Sequence, residues 1–155
     1  MTEVSELLAP EAVLSGVSAS SKKALFQQLG AAAERAYGLD ARDVAERLAE
    51  REKLGSTGFG HGIAIPHGKM EGLKHVAGVF VHLAQPLDFA AVDELPVDLV
   101  FMLVSPVGAG AEHLKALAAV SRKLRDRNFA AKLRGAGSPD ALFALLAGVE
   151  ARDAA

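Results

Sequence analysis

The sequence has no cysteine, no long apolar run and no surplus of positive charge, and each absence removes a class of function. Without a thiol there is no disulfide, no thiolate zinc site and no cysteine nucleophile. Apolar stretches such as 99–104 (LVFMLV) stop far short of the ~20 residues that a membrane-spanning helix needs. The opening residues, MTEVSELLAP, contain neither a basic segment nor an apolar core of the kind that marks an export signal. Seventeen Lys and Arg against nineteen Asp and Glu leave a formal charge of −2. A domain that lives on nucleic-acid backbone carries a clear positive excess, so general nucleic-acid binding is disfavoured. Half of the 155 residues are apolar and 23% are charged, which is the composition of a chain with a core. The expectation is one cytoplasmic globular domain over 1–150, without membrane insertion, followed by a frayed tail at 151–155.

Periodicity lays out the elements. A weak strand is expected over 12–17, then a helix capped by Ser20, with Leu25, Leu29, Ala32 and Ala36 inward and Gly38 at its end. Asp40 opens a second helix, with Val44 and Leu48 inward, and Gly55 stops it. The segments 76–83 (VAGVFVHL) and 97–104 (VDLVFMLV) read as strands rich in branched and aromatic residues. The second is apolar on both faces, which predicts a central strand covered on each side by helices. A helix over 111–124 follows, with Leu114, Leu117 and Leu124 as its core stripe and Arg122, Lys123, Arg125 and Arg127 as a basic end. A short helix after Asn128 and a last one from Pro139, started by Ser138 and buried by Leu142, Phe143, Leu146 and Val149, complete the chain. These alternations predict an α/β fold: a single three-layer domain, a mixed sheet with helices on both faces.

Between 55 and 68 the texture changes. GSTGFGHGIAIPHG packs five glycines around a four-residue apolar stretch, with Pro66 expected to end any ladder pairing. It is not a nucleotide loop. The dinucleotide pattern fails because Gly58-Phe59-Gly60-His61-Gly62 leads into Ile63 and then Pro66 rather than a helix. The phosphate-loop pattern fails at Ile63 and Met70, and a nucleophile elbow on Ser56 fails at Leu54.

Five histidines remain: His61, His67, His75, His82 and His113. Their spacing matches no common metal pattern, so no metal is expected. His75 and His82 suit solvent or core roles. His67 follows a short strand and Pro66 and is flanked by Gly68, which holds an imidazole where another molecule reaches it. An ordinary loop histidine is the competing explanation. His113 falls in the first turn of a helix preceded by Gly108 and Gly110, where free N–H groups and partial positive charge favour anions and disfavour imidazolium. The plain alternative is a histidine on the helix surface. A nucleophilic imidazole beside an anion-friendly helix start suggests phosphoryl transfer to nitrogen, which needs positioning and charge balance more than covalent help.

The runs REKLGSTGFGHGIAIPHGK (51–69), PVDLVFMLVSP (96–106) and EHLKALAAVSRKL (112–124) resemble the enzyme IIA domain of the mannitol/fructose type, from the phosphoenolpyruvate-dependent phosphotransferase system. REKLGSTG and GIAIPHGK look most like its nitrogen-regulatory branch. The resemblance spans about 7–146. It implies a phosphorylated histidine at His67, a supporting histidine at His113, and Arg51 and Gly68 near the phosphoryl group or partner. It further implies a phosphocarrier without cofactor or metal, charged by an HPr-like donor (NPr in the nitrogen branch), whose phosphorylation state governs contacts with regulatory protein targets. A sugar-specific IIA subunit passing phosphate to a IIB domain is the alternative. Phe59 is expected either on the docking face around His67 or in the core.

Overall fold

In the computed structural model, which describes residues 3–148, a six-stranded mixed sheet carries helices on both faces. After a 3-10 turn at Val4–Glu6 come β1 (Leu8–Val17), α1 (Lys22–Tyr37) and α2 (Ala41–Lys53). The glycine-rich segment supplies β2 (Gly58–Gly60), β3 (Ile63–Ala64) and β4 (His67–Met70). Then follow β5 (Ala77–Leu87), β6 (Val97–Pro106), α3 (Gly110–Arg125), α4 (Arg127–Gly135) and α5 (Pro139–Ala147). The expected tail at 151–155 and Val149 lie outside the described residues.

Helix ends follow local chemistry. Ser21, one residue later than expected, caps α1 by accepting from the Ala24 N–H, and Gly38 closes it at φ 71°, a left-handed value that glycine reaches without strain. Asp40 accepts from two first-turn amides of α2. Gly30 lets α1 and α2 touch through their backbones, because a Cβ there would fall on the Ala41 carbonyl oxygen. Ser138 caps α5, with Pro139 in its first turn.

The sheet runs β1-β5-β6-β3-β2, with β4 also paired to β6. Strand β6 is buried at every position from Leu99 to Ser105, as its unbroken apolar run predicts. It pairs antiparallel with β5 and parallel with β3 and β4. Pro66 does not end the pairing. Ile63 faces Leu99 and His67 faces Leu103, four residues further along both strands, so the register runs unbroken through the proline. Proline forfeits only its own donor; its carbonyl still accepts from the Leu103 N–H at 2.9 Å. His67 therefore follows the short strand β3, as expected, and itself opens β4.

Two further expectations are corrected by packing. In α3 the inward residues are His113, Ala116, Val120 and Leu124, whereas Leu114 is 67% exposed and Leu117 only partly covered. The buried stripe is turned by one residue because His113, not Leu114, is drawn toward β6. Strand β5 continues through Pro86 to Leu87, into what reads as loop in the sequence. Its far end is an irregular stretch of the β5–β6 ladder, where a proline costs little.

Candidate functional site

The motif 51–57 folds into a brace. Arg51 and Glu52, adjacent on the last turn of α2, reach in different directions. Glu52 accepts from the Thr57 hydroxyl at 2.6 Å and the Thr57 N–H at 3.2 Å, and pairs with Lys22 Nζ at 2.7 Å. Its side chain is almost wholly covered, so these donors offset the cost of burying a carboxylate. Ser56 donates to the Phe89 carbonyl at 2.6 Å and accepts from the Gly58 N–H. The loop entering β2 is thus tied to α1, α2 and the β5–β6 connection. Neither Glu52 nor Thr57 was among the residues singled out from sequence; a buried ion pair inside a motif leaves no periodic signal.

Arg51 makes the other half. Its Nη1 donates to the Gly55 carbonyl at 2.9 Å and its Nε to His67 Nε2 at 3.3 Å. On the far side of the ring, His67 Nδ1 meets the Ile65 carbonyl at 2.8 Å. A carbonyl only accepts, so Nδ1 holds the ring proton and Nε2 presents its lone pair, the arrangement that the Arg51 contact also requires. His67 is half-buried. Burial lowers its pKa, and the Arg51 charge acts in the same direction against the opposing Ile65 hydrogen bond. The neutral, Nδ1-protonated imidazole is the resting form.

His113 lies beside it, with ring centroids 5.3 Å apart and planes inclined at 51°. The surface alternative fails: His113 is 8% exposed, and its Nδ1 closes a short hydrogen bond with the hydroxyl of Ser105, itself fully buried on β6. Burial, then the nearby His67 and Lys69 charges, pull His113 down to about 4. The direction is that expected from sequence, but desolvation rather than the helix end is the main cause. Helix α3 begins at Gly110 with no side-chain cap on its first turn, so the amides preceding His113 are open to a ligand. Ser105 was missed in the sequence because an apolar run hides its one polar member.

Gly68 pairs with Val104 beside His67, and a Cβ there would come within 3.2 Å of Arg47 Cβ on α2. Its smallness lets α2 close over β4. Phe59 sits elsewhere, packed on the core with the Arg125 guanidinium over its ring at 5.2 Å. His75 is exposed and His82 half-buried on β5. The structure thus brings together Arg51, His67, Gly68 and His113 from α2, β4 and α3. Leu54 (85% exposed) just after α2, Val107 (61%) just after β6 and Leu114 on α3 are uncovered apolar side chains.

This architecture is shared with enzyme IIA proteins. A structure of the nitrogen regulatory protein IIA-Ntr from Neisseria meningitidis, 38% identical, superposes with a TM-score of 0.86 over 92% of this chain and 98% of that one. The chain belongs to the EIIA 2 family of the phosphoenolpyruvate-dependent sugar phosphotransferase system, whose family model matches residues 6–149. A nitrogen regulatory protein of Bradyrhizobium diazoefficiens is 48% identical over 144 residues, 93% of this chain and 94% of that protein. A fructose-specific EIIA component of Haloferax volcanii is 33% identical, covering 96% of this chain and 97% of that one. Among the described residues, no helix is long and apolar enough to cross a membrane.

Proposed function

We propose that this protein is a phosphocarrier of the nitrogen-regulatory phosphotransferase system, phosphorylated on His67 Nε2 by an HPr-like donor (NPr) and acting on regulatory targets according to that state. The observation that carries the reading is the His67 ring, with Nδ1–H on the Ile65 carbonyl and Nε2 free of a proton beside His113 and Arg51.

In the step, the Nε2 lone pair forms a bond to the phosphorus as the donor's N–P bond breaks, and the electron pair returns to the donor imidazole. The product ring keeps its Nδ1 proton, so no base is needed. The Ile65 carbonyl stabilises the positive character that the ring acquires. Arg51 is placed to turn from Nε2 onto a phosphoryl oxygen while Nη1 holds the Gly55 carbonyl. With the Ser105 hydroxyl donating to His113 Nδ1, the His113 proton sits on Nε2, where a neutral ring donates to an oxyanion. The amides at the start of α3 add donors. Phosphorylation brings about −1.5 to −2 charge to the face that carries His67, enough to change which protein surface fits there.

The likeness to a fructose-specific EIIA component supports a second reading, transfer onward to a IIB protein. The test of the first reading is incubation with enzyme I, the HPr-like carrier and labelled phosphoenolpyruvate. One acid-labile phosphoryl group per chain is expected, and none on His67→Ala. Stoichiometric label on that variant would overturn the assignment. Rapid discharge onto a purified IIB protein, with no phosphorylation-dependent regulatory partner, would favour the second reading.

A further inference from the structure

At the opposite end of the β3–β4 track lies a second concave site of a different character. Gly62, at its start, accepts from the Asp98 N–H, while His67 faces Leu103. Five residues of β6 separate the two, roughly 16 Å at the usual strand rise. The cleft there has a volume of about 440 Å³ and a floor of Ile63 and Leu124. Around it stand His61, Arg125, Arg127 and Arg134.

Its geometry is constructed. His61 is held at φ 58°, a left-handed conformation unusual for a residue with a side chain. Two side chains pin it there: Asp93 accepts from its N–H at 2.9 Å, and Arg134 donates to its carbonyl at 2.8 Å. Arg134 is in turn clamped on Asp98 through Nε and Nη2, at 2.9 and 2.8 Å. The fork packs so closely on Gly62 that a Cβ there would lie 2.6 Å from Arg134 Nη2. Arg134 spends its charge on Asp98. Arg125 and Arg127 do not: among the described residues neither has a carboxylate partner. Arg125 is steadied over the Phe59 ring instead, and Arg127 Nη2 approaches His61 Nε2 at 3.5 Å, beyond a good hydrogen bond and easily opened.

We propose that this cleft binds a small phosphomonoester. Two unpaired guanidinium groups match the two charges of a phosphate dianion, and Arg127 forms the planar fork suited to its oxygens. The imidazole of His61 is a third hydrogen-bonding group on the same side. The apolar floor receives a compact organic body, which inorganic phosphate lacks. The site is separate from the His67 centre and uses none of its residues.

Phenyl phosphate, inorganic phosphate and benzoate, titrated into the full-length chain at constant ionic strength, provide the test, read by NMR of the histidine rings. Phenyl phosphate is expected to give saturable shifts at His61 with at least about fivefold tighter binding than either other probe. Arg127→Ala should weaken it about tenfold or more, and Arg127→Lys by less, while both variants still accept label on His67. The proposal would be overturned by no saturable change at His61, by benzoate or inorganic phosphate binding as tightly as phenyl phosphate, or by shifts confined to His67 and His113. Saturation of the cleft by a glutamate-rich peptide but not by phenyl phosphate would make it a protein-docking surface and overturn it equally.

Discussion

His113 is the residue whose ionisation the fold controls most strongly, and its titration is measurable. Burial against β6, then the charges of His67 and Lys69, take its pKa from 6.5 down to about 4. Between those values the unfolded chain binds a proton that the folded chain does not, so stability falls as pH falls through that window. At about pH 5 the gap corresponds to about 1.5 pH units at ~1.36 kcal/mol each, an upper bound of about 2 kcal/mol. Solvent reaching the neighbouring half-buried His67 screens part of this, leaving about 1 kcal/mol. His67, also lowered by burial, adds in the same direction. The perturbation is His113→Gln, which keeps a hydrogen-bonding group opposite Ser105 but takes no proton. Urea unfolding at about pH 7.5 and about pH 5 should show the variant losing about 1 kcal/mol less stability than the parent on acidification. NMR of the parent should place the His113 midpoint well below that of a free imidazole. A midpoint near 6.5, or equal acid losses in both proteins, would refute the argument.

Other expectations follow from neighbouring contacts. Ser105→Ala strands the buried His113 nitrogen, so unfolding free energy should drop by about 1–3 kcal/mol and phosphoryl acceptance should slow, with Ser105→Thr restoring most of both. Glu52→Ala removes the acceptor for Thr57 and Lys22; about 2–4 kcal/mol of destabilisation and faster proteolysis within 54–60 are expected, by chemical denaturation and limited digestion. Gly30→Ala gains about 1 kcal/mol of helix propensity but meets the Ala41 carbonyl, so it should destabilise overall; a raised melting temperature would contradict the close α1–α2 contact. Arg51→Lys keeps the charge but loses the fork that spans His67 and Gly55, and should slow label uptake more than it changes stability.

Much of the fold was legible because its signals are local. The caps at Asp40 and Ser138, the stop at Gly38 and the doubly buried β6 are consequences of short-range chemistry. The readings that changed involve residues distant in sequence. Pro66 looked like a strand terminator because its missing donor is visible in the sequence, whereas the register of β6 beside it is not. Leu114 looked inward because hydrophobicity was the only guide, yet the buried slot is taken by His113, whose nitrogen finds Ser105. For Phe59, where the sequence leaves the His67 face and the core both open, the structure takes the core, with Arg125 over the ring.

By itself the sequence determined the family, the helices and strands, and which imidazoles were worth watching, since those depend on spacing and on a long ordered motif. Only the tertiary structure decided the protonation of the His67 ring, the tether on His113, the brace from Glu52 and the arginine-lined cleft around His61. Each is a contact between side chains or carbonyls on different elements, at distances set by how the sheet twists and the helices settle on it. Spacing along the chain carries no record of such distances, and hydrogen bonds are decided by them.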